Sequence, residues 1–110
     1  MGNVGGSALS GDYIDYKIGL KAGSYDLFLL TCTGGNCGIH EVRLEERGTP
    51  VIATFDEYTA GALVKNVRRV QTAIAITVSG TYTLRVKTNS KHASSTGYDS
   101  YVSWVCLAPA

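Results

Sequence analysis

A chain of 110 residues, 45% hydrophobic and 17% charged, is long enough for one domain with a real core and too poor in charge to be disordered. Ten Lys and Arg stand against nine Asp and Glu, for a net charge of +1. The basic residues are scattered, with Arg68-Arg69 the only doublet, so the phosphate-neutralising patch of a nucleic-acid binder is missing. No stretch approaches the ~20 apolar residues of a membrane-spanning helix.

In chain order, Met1 to Ser10 is rich in Gly and Ser and lacks periodicity, which predicts a flexible N-terminal arm over residues 1–10 that could dock on a neighbour. It has neither the basic start nor the apolar centre of a secretory signal, so none is expected. From Gly11 a period of two sets in. Ile14, Tyr16, Ile18 and Leu20 alternate with Asp15, Lys17 and Gly19, the pattern of a half-buried strand. After the turn at Lys21-Ala22-Gly23, Tyr25, Leu27 and Leu29 fall on one face and Asp26, Phe28 and Leu30 on the other. Apolar residues on both faces predict a central strand covered on both sides.

Thr33 to Cys37 is a Gly-Asn loop, followed by a strand with Val42 and Leu44 inward and Glu41, Arg43 and Glu45 outward. A turn at Glu46-Arg47-Gly48 leads into a return strand over Thr49 to Phe55. Asp56 to Lys65 reads as a long connection, with a short helical turn suggested by the spacing of Leu63, Val67 and Val70. Val70 to Val78 is expected as a strand with Ile74, Ile76 and Val78 on one face, and Tyr82, Leu84 and Val86 mark the clearest amphipathic strand. A polar loop from Thr88 to Gly97 precedes a last strand, with Val102, Trp104 and Cys106 expected together on one face and Trp104 in the core. Short strands separated by turn chemistry at intervals of about 8–14 residues predict an all-β fold, a single β-sandwich or jelly roll of seven or eight antiparallel strands over residues 11–110.

Chemistry is sparse. Catalysis by an activated nucleophile needs a base beside it, and the chain has only His40 and His92 and no nucleophile elbow, so no enzyme and no cofactor are expected. The three cysteines cannot all pair within one chain. Cys32 and Cys37 flank a turn and are candidates for a disulfide clip, the alternative being reduced thiols. Cys32, Cys37 and His40 have tolerable zinc spacing, but strand parity turns Cys37 and His40 to opposite faces, so no metal is expected. Binding chemistry is denser. Asn89, His92, Tyr98, Asp99 and Tyr101 gather amide, imidazole, carboxylate and aromatic groups around one loop, and Tyr58 with Asp56 and Glu57 forms a second cluster. These groups suit either a ligand surface or a subunit interface.

Gly11-Asp12-Tyr13-Ile14-Asp15-Tyr16, Ala22-Gly23-Ser24-Tyr25-Asp26-Leu27 and Ser79 to Val86 share a strand rhythm that resembles the β-sandwich carbohydrate-binding modules of glycoside hydrolases. Gly35-Asn36-Cys37-Gly38-Ile39 and Lys91 to Tyr98 resemble a β-sandwich domain of tailed-bacteriophage virion proteins. The modules often carry an acidic calcium ligand in the last strand where this chain has Ser103. The resemblance implies a non-enzymatic virion surface protein, a capsid-decoration or tail-fibre-tip domain. It would act through protein–protein contacts as a homo-oligomer, a trimer by preference, with other virion proteins as partners. The alternative it implies is a module that recognises cell-surface glycans.

Overall fold

Side chains alternate across an extended backbone, so a segment with one apolar parity must lay that parity against a second layer. The structure, a computed structural model, describes residues 11–110. The arm expected over residues 1–10 lies outside them. The described chain forms seven strands, β1 (Tyr13–Leu20), β2 (Gly23–Thr33), β3 (Ile39–Leu44), β4 (Val51–Asp56), β5 (Val64–Ile76), β6 (Gly80–Thr88) and β7 (Val102–Pro109). No helix occurs among the described residues.

The strands make two antiparallel sheets, one in the order β1-β6-β3-β4 and the other in the order β5-β2-β7. Leu27 and Leu29 of β2, Val42 and Leu44 of β3, Leu84 and Val86 of β6, and Val102 and Val105 of β7 fill the space between the layers. The expected β-sandwich is therefore the fold, and the alternating parities of β1, β3 and β6 predicted its inner face. Two tyrosines close turns as they enter the core. The Tyr25 hydroxyl donates to Lys21 O at 2.7 Å, and the Tyr82 hydroxyl donates to Val78 O.

The two outer faces differ. On the larger sheet, Arg43 bridges Glu41 and Glu45 at 2.7 and 2.6 Å, and Arg85 bridges Asp15 at 2.8 Å while its guanidinium lies 3.8 Å from the centre of the Tyr13 ring. That face is charged and solvated. On the smaller sheet the outer face carries Phe28, Leu30, Trp104 and Cys106, lining a shallow groove of about 610 Å³, with Val70 also exposed on that sheet.

Three expectations are corrected here. Asp56 to Lys65 holds no helical turn, and β5 starts at Val64, earlier than the pattern suggested. Its alternation is broken by bulges at the left-handed residues Asn66 (φ 59°) and Ala73 (φ 58°), which hide the strand period. Val78 lies beyond β5 and is exposed. Second, Trp104 is not in the core: it is 45% exposed. The pairs Leu30↔Trp104 and Thr31↔Val102 leave Ser103 as an extra residue, so a bulge turns Val102 and Val105 inward and Trp104 and Cys106 outward. Third, β2 is central in its sheet but covered on one side only, with Phe28 and Leu30 half-buried.

Candidate functional site

The residues singled out from the sequence lie mostly at one end of the sandwich, where the loops 34–38, 57–63 and 89–101 meet. Backbone hydrogen bonds fasten them. Gly34 N donates to Glu57 O at 3.1 Å, Thr59 N to Gly34 O at 3.2 Å, Thr96 N to Gly35 O at 2.9 Å and Asp99 N to Asn36 O at 3.0 Å. Isolated parallel bridges, Gly34↔Tyr58 and Cys37↔Asp99, extend the same stitching. Gly38 sits at the centre. A side chain there would meet Thr88 Cγ2 at 2.8 Å, Ser90 O at 3.2 Å and Tyr98 Cα at 3.3 Å, so only glycine lets the strands approach this closely.

On this base the two sequence clusters become one. The rings of Tyr58 and His92 stack with centroids 4.5 Å apart and planes 8° from parallel. Ser94 N donates to His92 Nδ1 at 3.0 Å, which fixes the imidazole and leaves Nε2 to carry the ring proton. Asp99 accepts from Asn36 Nδ2 at 2.6 Å. Burial and then the Asp99 carboxylate push the Tyr101 phenol up from its ordinary range. Tyr98 is half-buried, with the Lys91 ammonium 5.9 Å from its ring centre. An aromatic pair and a planar amide–carboxylate pair at the same loop end supply a stacking face and directed hydrogen-bonding groups.

Asp56 and Asn89 do other work. Asp56 Oδ1 accepts from Tyr58 N at 3.0 Å and so shapes the turn that carries Tyr58. Asn89 Nδ2 donates to Glu41 Oε2 at 2.7 Å, on the charged face of the larger sheet. The Glu41 carboxyl is held below its usual range chiefly by the bond from Arg43, against burial and with help from Asn89. Of the two alternatives for Cys32 and Cys37, the structure has reduced thiols and not the disulfide clip; both are free. Cys32 faces outward from β2 with half-burial, whereas Cys37 is fully buried beneath the loops, where desolvation and nearby carboxylates push its thiol up to about 11. Such a thiol is inert at neutral pH.

Below the loops lies a network that sequence reasoning missed. His40, Glu57 and Ser100 are all buried. His40 Nε2 is hydrogen-bonded to Ser100 Oγ, His40 Nδ1 lies 3.5 Å from Glu57 Oε2, and Glu57 Oε1 accepts from Arg69 Nε at 2.7 Å. The carboxylate beside Nδ1 favours the proton there, so Nε2 accepts from the serine. Hydroxyl, imidazole and carboxylate stand in the order used by serine hydrolases. Here the hydroxyl is closed off, with Ser100 only 1% exposed, so no carbonyl can reach it. The network ties β3, β5 and the loop before β7 together and holds the site's floor. A core histidine and a glutamate that reads as a surface residue gave no sequence signal of this.

No family model matches the chain, and no curated protein matches it. Among solved structures, a chain of a xanthan lyase from Paenibacillus is similar to it, with a TM-score of 0.72 and 23% identity. The match covers 98% of this chain and 10% of that one, so this chain spans about a tenth of the length of the chain it resembles. At that identity the likeness concerns the fold, and it agrees with the two-layer β-sandwich. Among the described residues no group of three or more metal-binding side chains is found.

Proposed function

We propose that this chain is a non-catalytic recognition module of a tailed-phage virion surface, a fibre-tip or capsid-decoration domain, whose loop end binds a cell-surface glycan. The observation that carries the reading is the stacking of Tyr58 on His92 at the loop end that also holds the Asn36–Asp99 pair. Sugars present apolar CH faces and rings of hydroxyls, which match an aromatic face flanked by planar hydrogen-bonding groups. The segments that resemble the phage domain, 35–39 and 91–98, are neighbours in space, joined by the Thr96–Gly35 hydrogen bond, and both border this surface. The similar fold within a xanthan lyase sets a β-sandwich of this shape in a protein named for a polysaccharide.

A second reading, decoration through protein–protein contacts alone, draws on the apolar outer face of the β5-β2-β7 sheet. A screen of the protein against bacterial surface polysaccharides separates the two. The glycan reading expects at least one ligand, with affinity about tenfold weaker or worse for Tyr58→Ala, since stacking and directed bonds each reach ~1 kcal/mol. A folded wild-type protein that binds no polysaccharide in the screen overturns it in favour of the second reading.

A further inference from the structure

The outer face of the β5-β2-β7 sheet is arranged in three cross-strand rows. One row pairs Trp104 of β7 with Leu30 of β2 and Arg68 of β5. The middle row pairs Cys106 with Phe28 and Val70. The third pairs Ala108 with Asp26, beside the β5 bulge at Ala73, whose N–H donates to Asp26 Oδ1 at 3.1 Å. Rows on one face are ~6.8 Å apart, two residues of extended chain. The first row is therefore bulky and cationic, and the third is small and anionic.

The geometry points to this face as a self-complementary interface on which a second copy of the same chain packs as an isologous pair. A two-fold axis running across the strands at the middle row exchanges the outer rows and maps the middle row onto itself. It sets Trp104 over the partner's Ala108, large against small. It sets Arg68 near the partner's Asp26, cation against anion, and Phe28 against the partner's Phe28. Sheets packed face to face lie ~10 Å apart, a gap these side chains span. Arg68 makes no ion pair among the described residues, and its guanidinium rests 5.4 Å from the centre of the Phe28 ring, poised over the face. The charged ladder on the opposite face of the sandwich has no such pattern, because its cations and anions already pair with one another. The face is only three strands wide and three rows long, so the pair is expected to be concentration-dependent. The inference stands apart from the loop-end ligand, which lies on a different surface.

The test is sedimentation equilibrium of the full chain across a concentration series. Fluorescence of Trp104, the chain's one tryptophan, is followed alongside. The expected result is a monomer–dimer equilibrium with a blue shift as dimer forms. Trp104→Ala should weaken association about tenfold or more, as a central aromatic does. Arg68→Asp alone should weaken it too, and Arg68→Asp with Asp26→Lys should restore it. Asp26→Lys also removes a bulge hydrogen bond, so circular dichroism checks folding. If that variant unfolds, a short bismaleimide linking Cys106 to the partner's Cys106 in a Cys32→Ser background decides, with a cross-linked dimer expected. A monomer at all concentrations, a trimer, or a dimer indifferent to Trp104→Ala overturns the inference. A monomer whose Trp104 emits like a buried indole also overturns it, and identifies residues 1–10 as the cover.

Discussion

His40 and Glu57, both without solvent exposure, face each other with Nδ1 and Oε2 3.5 Å apart, and Glu57 is held from its other side by Arg69. Burial pushes the Glu57 carboxyl up, but the polar groups of His40 and Thr31 beside it and the charge of Arg69 outweigh it and leave the group below its ordinary value of 4.5. A carboxylate whose folded value lies below its unfolded one binds its proton more readily in the unfolded chain. Its contribution is therefore fully present above about pH 4.5 and is lost as pH falls through the lower, folded value. Glu57→Gln keeps the shape and removes the charge. It should cost ~2–3 kcal/mol at pH 7, somewhat less than a fully buried pair because Arg69 can rehydrate. It should also flatten the acid limb of the melting temperature between pH 5 and 3, taken as about one unit either side of the carboxylate range. Melting curves for the variant and parent that fall in parallel over that window would show that the network carries no such linkage.

Ala73 offers a simpler test, in the opposite direction. It sits in the β5 bulge with φ 58°, a conformation in which its Cβ crowds the backbone, and its side chain is exposed. Holding a non-glycine residue there costs roughly 1–2 kcal/mol. Glycine removes that strain but makes the unfolded chain looser, which returns ~0.4–1 kcal/mol. Ala73→Gly should thus stabilise the protein by about 0.5–1 kcal/mol in chemical denaturation, with an unchanged slope. A lower midpoint would mean that the bulge is not strained, or that the Ala73–Asp26 hydrogen bond depends on the methyl group's presence.

These positions also show how far the sequence can be read. Leu84 and Val86 in β6 were legible because a strand without irregularities keeps its period, and burial follows parity. Trp104 was not, because the extra residue at Ser103 reverses parity without a Gly or Pro to announce it. The same is true of β5, where Asn66 and Ala73 take the bulge positions. For the site, the polar and aromatic composition of residues 89–101 and of 56–58 marked both clusters. Their meeting in the Tyr58–His92 stack depends on the sheet order, which composition does not encode. Glu57 was legible only as an exposed member of the 56–58 cluster, and Ser100 looks like an ordinary surface residue in a string of letters. Only the fold buries them beside His40.

Gly38 joins the fold to the site most directly. Its backbone is the hub of the loop end: Gly38 N donates to Asp99 O at 3.0 Å, and Gly38 O accepts from Glu57 N at 3.2 Å. No left-handed conformation is needed there, so the glycine is held by space alone. Of the atoms a methyl group would meet, Thr88 Cγ2 at 2.8 Å can turn away with its side chain, but Ser90 O at 3.2 Å and Tyr98 Cα at 3.3 Å are backbone. Relief must come from the 89–101 loop moving outward by a few tenths of an ångström, and that loop carries His92, Asp99 and Tyr101. Gly38→Ala should therefore cost ~1–3 kcal/mol, the usual range for overpacking. It should also weaken loop-end ligand binding by more than it weakens the fold elsewhere. Hydrogen exchange can resolve the two effects: amides of the 89–101 loop and of 57–59 should exchange faster, while those in the centre of β2 and β6 keep their protection relative to global stability. Uniform loss of protection across both sheets would show that Gly38 supports the core. Unchanged exchange at Asp99 and Thr96 would show that the loop end absorbs a methyl group without moving, and that the site's geometry is set elsewhere.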